Sequence, residues 1–366
     1  MKIEVVSFTG DSGLADYAVS LGRALSVLAE TTVVTAQSLP SRFDHLGFKV
    51  ERVFRRSRHY PIDILKFFFG VLNRNPDFIL MQGPLKFALL DAFFIRLLNL
   101  FGISTAITVH DVLPHYPKFW SRFTFGFYYR SFRHVICHSL AAQQGVSELG
   151  ISAPVLVVPH GIYDIFNLTG ISQAKARELI SGLSDNDFVS LFFGHLEPRK
   201  GLIPFLECAK SMQSQTHYKF ILAGASSVAG HGPEYVQALE TARLMPNVIV
   251  HDRRIPFEDV ENYFSASNVI CLPYLEGTTS GVLKIALAFT KPVIATRVGD
   301  FPEQVPENAG IVIEADHGIS SSLANAIANI EQDYSAYCDA MGAAGADAQW
   351  SLIANKIIDF LGLKHA

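Results

Sequence analysis

Residues 269–296, VICLPYLEGTTSGVLKIALAFTKPVIAT, spell one complete strand, loop, helix and strand. An apolar β-branched run ends near Pro273. Residues 276–281, EGTTSG, follow as a loop of small and hydroxyl residues, residues 282–289 carry an apolar helical run, and 292–296 open a second β-branched run. This unit builds parallel sheets covered by helices, and it recurs along the chain. Strand-like runs fall at 3–8, 31–36, 78–82, 105–110, 135–138 and 155–159 in the first half. In the second half they fall at 188–194, 218–223, 248–251, 269–273, 292–296 and 310–313. Between the series, 161–187 reads as a linker with one short helix. The first helix shows the signal clearly: Leu14, Ala18, Leu21, Leu25 and Leu28 form one apolar stripe, with Asp11 or Ser12 as candidate cap. The expectation is an α/β chain of two domains, 1–165 and 166–345, with a helix in 346–366 that returns to the first.

A chain of 366 residues suits two cores better than one. With 49% hydrophobic and 17% charged residues it reads as folded throughout. Residues 87–101, FALLDAFFIRLLNLF, come nearest to a membrane span, but Asp91, Arg96 and Asn99 interrupt them. The N-terminus runs straight into a strand and shows no leader pattern, which points to the cytoplasm, with room for peripheral attachment to the membrane face. Cys137, Cys208, Cys271 and Cys338 are far apart and form no C-x-x-C pair, so they read as reduced core residues. The net charge of −4 is uneven. Residues 1–165 hold 16 Lys+Arg against 12 Asp+Glu (+4), and the rest hold 14 against 22 (−8). Acidity overall and the lack of any recognition motif argue against nucleic acid.

Open α/β sheets bind ligands beyond the carboxyl ends of their strands, and four such places carry suitable residues. Gly10-Asp11-Ser12-Gly13 can turn closely and aim helix N–H groups at an anion, although the same residues suit a plain tight turn. The 276–281 loop can seat a diphosphate on the amides of Ser280, Gly281 and Val282 beside Thr279. Glu276 could then accept from sugar hydroxyls or stand as a solvated carboxylate. In GHLEPRKG, 194–201, Lys200 with Arg199 can neutralise a leaving diphosphate, or be surface cations. His110, in the order Thr108-Val109-His110-Asp111, can touch a reacting sugar or serve as a strand-end histidine. Two of these places fall in each half.

These segments resemble the retaining glycosyltransferases of glycosyltransferase family 4, which have the GT-B fold of two Rossmann-like domains facing a central cleft. EGTTSGVLKIALAFTKPVIATRVGDFPE, 276–303, is similar to that family's acidic loop, helix and K-P-V-I-A-T strand. GHLEPRKG resembles G-R-L-x-x-x-K-G, which gives Lys200 the diphosphate-binding lysine position. VVPHGI resembles V-P-N-G-V, and ITVHDVLPH resembles the strand-end histidine motif, with His110 at the donor sugar. Ile255 lies where the family contacts the nucleotide base through its backbone. Two positions depart. His195 stands in place of a second diphosphate-binding arginine, for which Arg199 is the expected substitute. Lys284 occupies the second acid of E-x7-E, usually the ribose-binding carboxylate, while Glu276 matches the first.

The resemblance implies transfer of a sugar from a UDP- or GDP-linked donor to a hydroxyl of a glycan or lipid-linked acceptor, by front-face displacement and without a metal or other cofactor. The sole D-x-D, Asp185-Asn186-Asp187, precedes a strand and suits a loop better than a metal site. A GT-B sugar-nucleotide epimerase would share the nucleotide seat, and a catalytically silent partner of another transferase would explain His195 and Lys284. The GDS triplet also resembles the GDS ester hydrolases, but no Asp has a His three residues later. The basic, aromatic stretch 116–133 suits an anionic membrane surface, or else a helix with its rings in the core.

Overall fold

A computed structural model describes every residue except 56, 115–116, 227–231, 278–279 and 363–366. The chain divides into two compact units, Met1–Gly161 with Ala348–Ala366, and Ile162–Asp347.

The first unit begins with strand β1 (Lys2–Val6), helix α1 (Gly13–Ser26), β2 (Glu30–Ala36) and β3 (Lys49–Phe54). It continues through α2 (Tyr60–Arg74), β4 (Phe78–Met81), α3 (Ala88–Leu100), β5 (Ser104–Val109), α4 (Ser121–Tyr129), β6 (His134–Cys137), α5 (Leu140–Glu148) and β7 (Val155–Val157). The strands form one parallel sheet in the order β3-β2-β1-β4-β5-β6-β7. The chain moves outward from β1 to β3, then returns past β1 to β4 and on to β7. Right-handed crossovers therefore put α1 on one face and α2 to α5 on the other. Strand β3 was not evident in the sequence. It is an edge strand with half-exposed, charged positions, KVERVF, and so lacks the apolar run of a strand buried on both faces. Helix α1 starts after Ser12 as expected, but Ser12 makes no side-chain cap, because its hydroxyl pairs with Thr9 Oγ1 at 2.5 Å. Of the rings in 116–133, Tyr128, Tyr129 and Phe132 are buried in the core, whereas Phe119, Trp120 and Phe123 are exposed.

The second unit contains α6 (Gln173–Glu178), β8 (Phe188–Phe193), α7 (Leu202–Ser211), β9 (Tyr218–Gly224), α8 (Pro233–Ala242), β10 (Val248–Asp252), α9 (Val260–Ala266) and β11 (Val269–Leu272). There follow α10 (Gly281–Ala288), β12 (Val293–Thr296), α11 (Phe301–Gln304), β13 (Gly310–Ile313), α12 (Ile319–Gln332) and α13 (Tyr334–Asp347). The last helix, α14 (Trp350–Phe360), belongs to the first unit and packs on α1. There Trp350 lies so close to Gly161 that a Cβ on that residue would sit 2.3 Å from the indole.

The second sheet is also parallel, in the order β10-β9-β8-β11-β12-β13. Its strand order reverses between β8 and β11, which pair directly, Ile270 beside Leu191. Crevices form at such a reversal, beyond the carboxyl ends of the two strands. Buried Arg177 ties down the turn before β8, donating to the carbonyls of Ser184, Asp185 and Asp187 at 3.0, 2.6 and 2.8 Å. The D-x-D is thus part of a guanidinium-bound turn. The Glu261 carboxylate fixes the segment before α6 by accepting from the amides of Thr169, Gly170 and Ile171, and these bonds hold its pKa below the ordinary value despite the cost of burial. All four cysteines are free, three of them buried.

Backbone closeness is greatest at the reversal. Gly201, at φ +76°, leaves so little room that a Cβ would come 1.8 Å from the Pro273 carbonyl oxygen. Gly224, at φ +151°, would place one 1.8 Å from the Gly194 oxygen. Gly201→Ala should therefore destabilise the protein by more than about 3 kcal/mol, since backbone must move to admit the methyl group. Gly170→Ala is the control, with φ +63° but no atom within 4 Å, and should cost about 1 kcal/mol. Urea unfolding midpoints distinguish the two, and equal losses would contradict the close-approach explanation.

Candidate functional site

The loops expected to hold a diphosphate are the two that leave the reversal point of the second sheet. GHLEPRKG follows β8 and EGTTSG follows β11. They are joined by backbone: the amides of Leu275 and Glu276 both donate to the Arg199 carbonyl, at 2.7 and 3.3 Å. Tyr274, buried between them, shares a hydrogen bond with Ser280 Oγ at 3.1 Å and receives the Thr296 hydroxyl on its carbonyl. Lys200 lies over the Tyr274 ring, its Nζ 5.6 Å from the centroid. The same Nζ is 3.4 Å from where a Gly194 Cβ would be, and Val282 Cγ2 is 3.8 Å from that point. One small space thus brings together Gly194, Lys200, Tyr274, Ser280 and Val282.

Two features give that space a positive character. Helix α10 begins at Gly281, and the first amides of a helix have no acceptor four residues back. The Lys200 ammonium is also without an ion pair among the described residues, while Arg199 beside it is bound to Glu197, Nε to Oε2 at 2.6 Å. Burial pushes the Lys200 pKa down to about 8, Glu197 opposing the shift and Arg199 adding to it. Arg199, expected as a second cation, is thus paired with Glu197, and its part in donor binding belongs to the proposal below.

His195 is exposed just after β8, and Glu276 is exposed on the loop. Ile255 is half-buried after the edge strand β10. Thr279 falls outside the described residues. Lys284 is buried on α10 and donates to Gln304 Oε1. Burial lowers its pKa to about 8, and Asp300 partly offsets this.

In the first unit, Gly13 is exposed at the start of α1, and His110 follows β5. The His110 ring belongs to a cluster that the sequence reading did not assemble. Tyr17 of α1 packs edge-on against it with centroids 4.7 Å apart, and also meets His138, His160 and Trp350 at 5.3, 5.0 and 4.9 Å. His138 and His160 follow β6 and β7, so all three histidines leave neighbouring strands at the same edge. The strand-end rule applied to His110 could have found them. Tyr17 could not be found in that way, since it sits on an apolar helix face. His110 Nε2 lies 3.2 Å from Gln82 Oε1, which accepts its proton in hydrogen bonding. Burial, and then the neighbouring His138, hold the His110 pKa well below 6.5. A neutral imidazole is thus presented at the end of β5.

Two parallel α/β domains, one with an anion-ready reversal point, define a protein of the doubly wound class. Comparison with known proteins narrows this. Residues 12–161 match the family model for the glycosyl transferase 4-like domain, and residues 187–333 match that for glycosyl transferases group 1. Together these two matches span most of the chain, whose two domains belong to these glycosyl transferase families and have the GT-B fold. It is 27% identical over 187 residues to the D-inositol 3-phosphate glycosyltransferase of Kribbella flavida, a stretch covering 50% of this chain and 43% of that protein. The match therefore spans less than half the length of that curated relative. Among solved structures it resembles Anabaena HepE in complex with UDP, with a TM-score of 0.76 at 18% identity over 99% of this chain and 100% of the other. It also resembles the sucrose-phosphate synthase of Thermosynechococcus elongatus, with a TM-score of 0.70 at 18% identity over 99% and 98%. At these identities the likeness to solved structures is one of fold.

The depressed His110 pKa makes the fold acid-sensitive. Below the unfolded value of 6.5 the unfolded chain binds a proton that the folded chain does not, so stability falls as pH falls through that value. His110→Asn should flatten the drop in melting temperature between about pH 7.5 and about pH 5. An unchanged drop in the variant would remove His110 as its source.

Proposed function

We propose that the protein is a retaining, metal-independent glycosyltransferase that moves a sugar from a nucleoside-diphosphate donor to a hydroxyl of a glycan or lipid-linked acceptor. The observation carrying this reading is the Lys200 ammonium, desolvated and without an ion pair among the described residues, beside the first amides of α10. A cation in that state costs free energy until an anion joins it. A diphosphate fits that need in charge, and its charge grows as the sugar departs. In the reaction we envisage, the bond from the anomeric carbon to the phosphate oxygen breaks and its electron pair stays on the diphosphate. The acceptor oxygen bonds to the same face of the sugar and gives its proton to the leaving phosphate. Stabilising the departing charge is then the main catalytic task, met by Lys200 and the amides of Gly281 and Val282.

Neutral His110 suits the donor sugar, because with Nε2–H given to Gln82 its Nδ1 is an acceptor for a sugar hydroxyl and carries no charge to compete for the diphosphate. The complex of HepE with UDP supports a uridine nucleotide over the GDP alternative. The seats assigned to the base at Ile255, to sugar hydroxyls at Glu276, and to the donor at Gly13, His195, Arg199 and Thr279 remain part of the proposal. At the position of Lys284, where a ribose-binding acid would be expected, the buried ammonium is engaged by Gln304.

Lys200→Ala should lower the transfer rate from a UDP-sugar at least about 100-fold, the usual cost of removing one donor from a developing anion. UDP affinity of the wild type should weaken as pH rises through about 8, where the lysine loses its charge, and the variant should show no such dependence. Isothermal titration with UDP at several pH values checks both. Unchanged affinity in Lys200→Ala would refute the reading.

A further inference from the structure

We propose that the helix layer α2, α3 and α4 of the first unit docks on an anionic lipid bilayer. The layer's outer face has three properties that together single out this partner. First, among the described residues every exposed phenylalanine and tryptophan lies between 69 and 123. Phe69 of α2, Phe93 of α3 and Phe123 of α4 are 59%, 55% and 67% exposed, and Phe119 just before α4 is 93% exposed. Rings so exposed gain little from folding and would gain by entering a membrane interface. Second, the helices that carry these rings pack against one another. Phe68 bridges the first two helices, with its centroid 5.5 Å from Phe69 and 5.4 Å from Phe94, and Phe94 lies 5.4 Å from Phe93. Arg96 of α3 crosses to α4, its guanidinium 4.1 Å from the Phe127 ring. On α2, Ile62, Leu65 and Phe69 recur at helical spacing and are all exposed.

The third property is charge. The only carboxylates on α2, α3 and α4 are Asp63 and Asp91, each 1% exposed. Asp63 is bound by the Arg55 guanidinium and amide, and Asp91 accepts from Tyr60 and the amides of Leu85 and Lys86. Both negative charges therefore point inward. Exposed Lys66, Lys86 and Lys118 have no ion pair among the described residues, and Lys118 lies 5.1 Å from the Trp120 ring. An apolar, aromatic face with free lysines and no exposed acid on its helices complements a negatively charged, partly apolar surface. A protein partner would meet the apolar part equally well, but the selective burial of acids favours anionic headgroups.

This assignment extends past the stretch 116–133 to two helices earlier in the chain. It is independent of the transferase reading, because lipid binding is measured without donor. Purified protein should co-sediment with phosphatidylcholine vesicles containing phosphatidylglycerol, release at high salt, and stay in solution with phosphatidylcholine alone. Lys66→Ala and Lys118→Ala should each lower partitioning about fivefold. Phe69→Ser with Phe93→Ser should lower it further while leaving the melting temperature unchanged, since both rings face solvent. Equal binding to neutral and anionic vesicles, or none to either, would overturn the proposal. So would a dimer in light scattering that the double phenylalanine variant dissolves, which would give the face to a second copy.

Discussion

The second unit depends on the hydrogen bonds that bring the amides of Leu275 and Glu276 onto the Arg199 carbonyl. They fasten the loop after β11 to the loop after β8, and they can form only because the backbones approach without side chains between them. Gly201 against Pro273 provides that approach, and Gly224 against Gly194 brings the end of β9 equally close to the same loop. Glycine at these positions is a steric necessity rather than a source of looseness. The result is a rigid floor on which Lys200, Tyr274 and the start of α10 are held together. Pre-arranged charge of this kind needs no reorganisation when an anion arrives.

The two units present contrasting electrostatics at their strand ends. In the second, a desolvated lysine keeps its positive charge near neutrality and lacks a counterion among the described residues. In the first, three histidines gather round Tyr17, and burial keeps His110 uncharged. One arrangement suits an anionic group, the other a neutral polar one. Both arise from the same topological fact, that residues following adjacent parallel strands are delivered to the same edge. The outer helix layer of the first unit adds a third surface, where acids are turned inward and aromatic rings outward.

Much of this was legible in the sequence, for identifiable reasons. Central parallel strands are buried on both faces and read as continuous apolar runs, so β8 and β11 were plain, whereas the charged edge strand β3 was not. Loops at strand ends could be picked out because glycines, hydroxyls and a lysine sat immediately after those runs. Side-chain pairing was hidden. Nothing in the order Glu197-Pro198-Arg199-Lys200 says that Arg199 turns to Glu197 and leaves Lys200 to face the seat alone. Nor does it show Lys284 meeting Gln304, or Tyr17 drawing His138 and His160 towards His110, since these contacts join residues far apart in the chain. The inward burial of Asp63 and Asp91 was likewise invisible, because it depends on which side of each helix meets the sheet.

The most direct test of the central claim is a crystal structure of the protein soaked with UDP. The account predicts β-phosphate oxygens within about 3 Å of Lys200 Nζ and of the Gly281 or Val282 amide, with Arg199 still on Glu197. A diphosphate bound elsewhere on the sheet, with the Lys200 side chain unengaged, would contradict it.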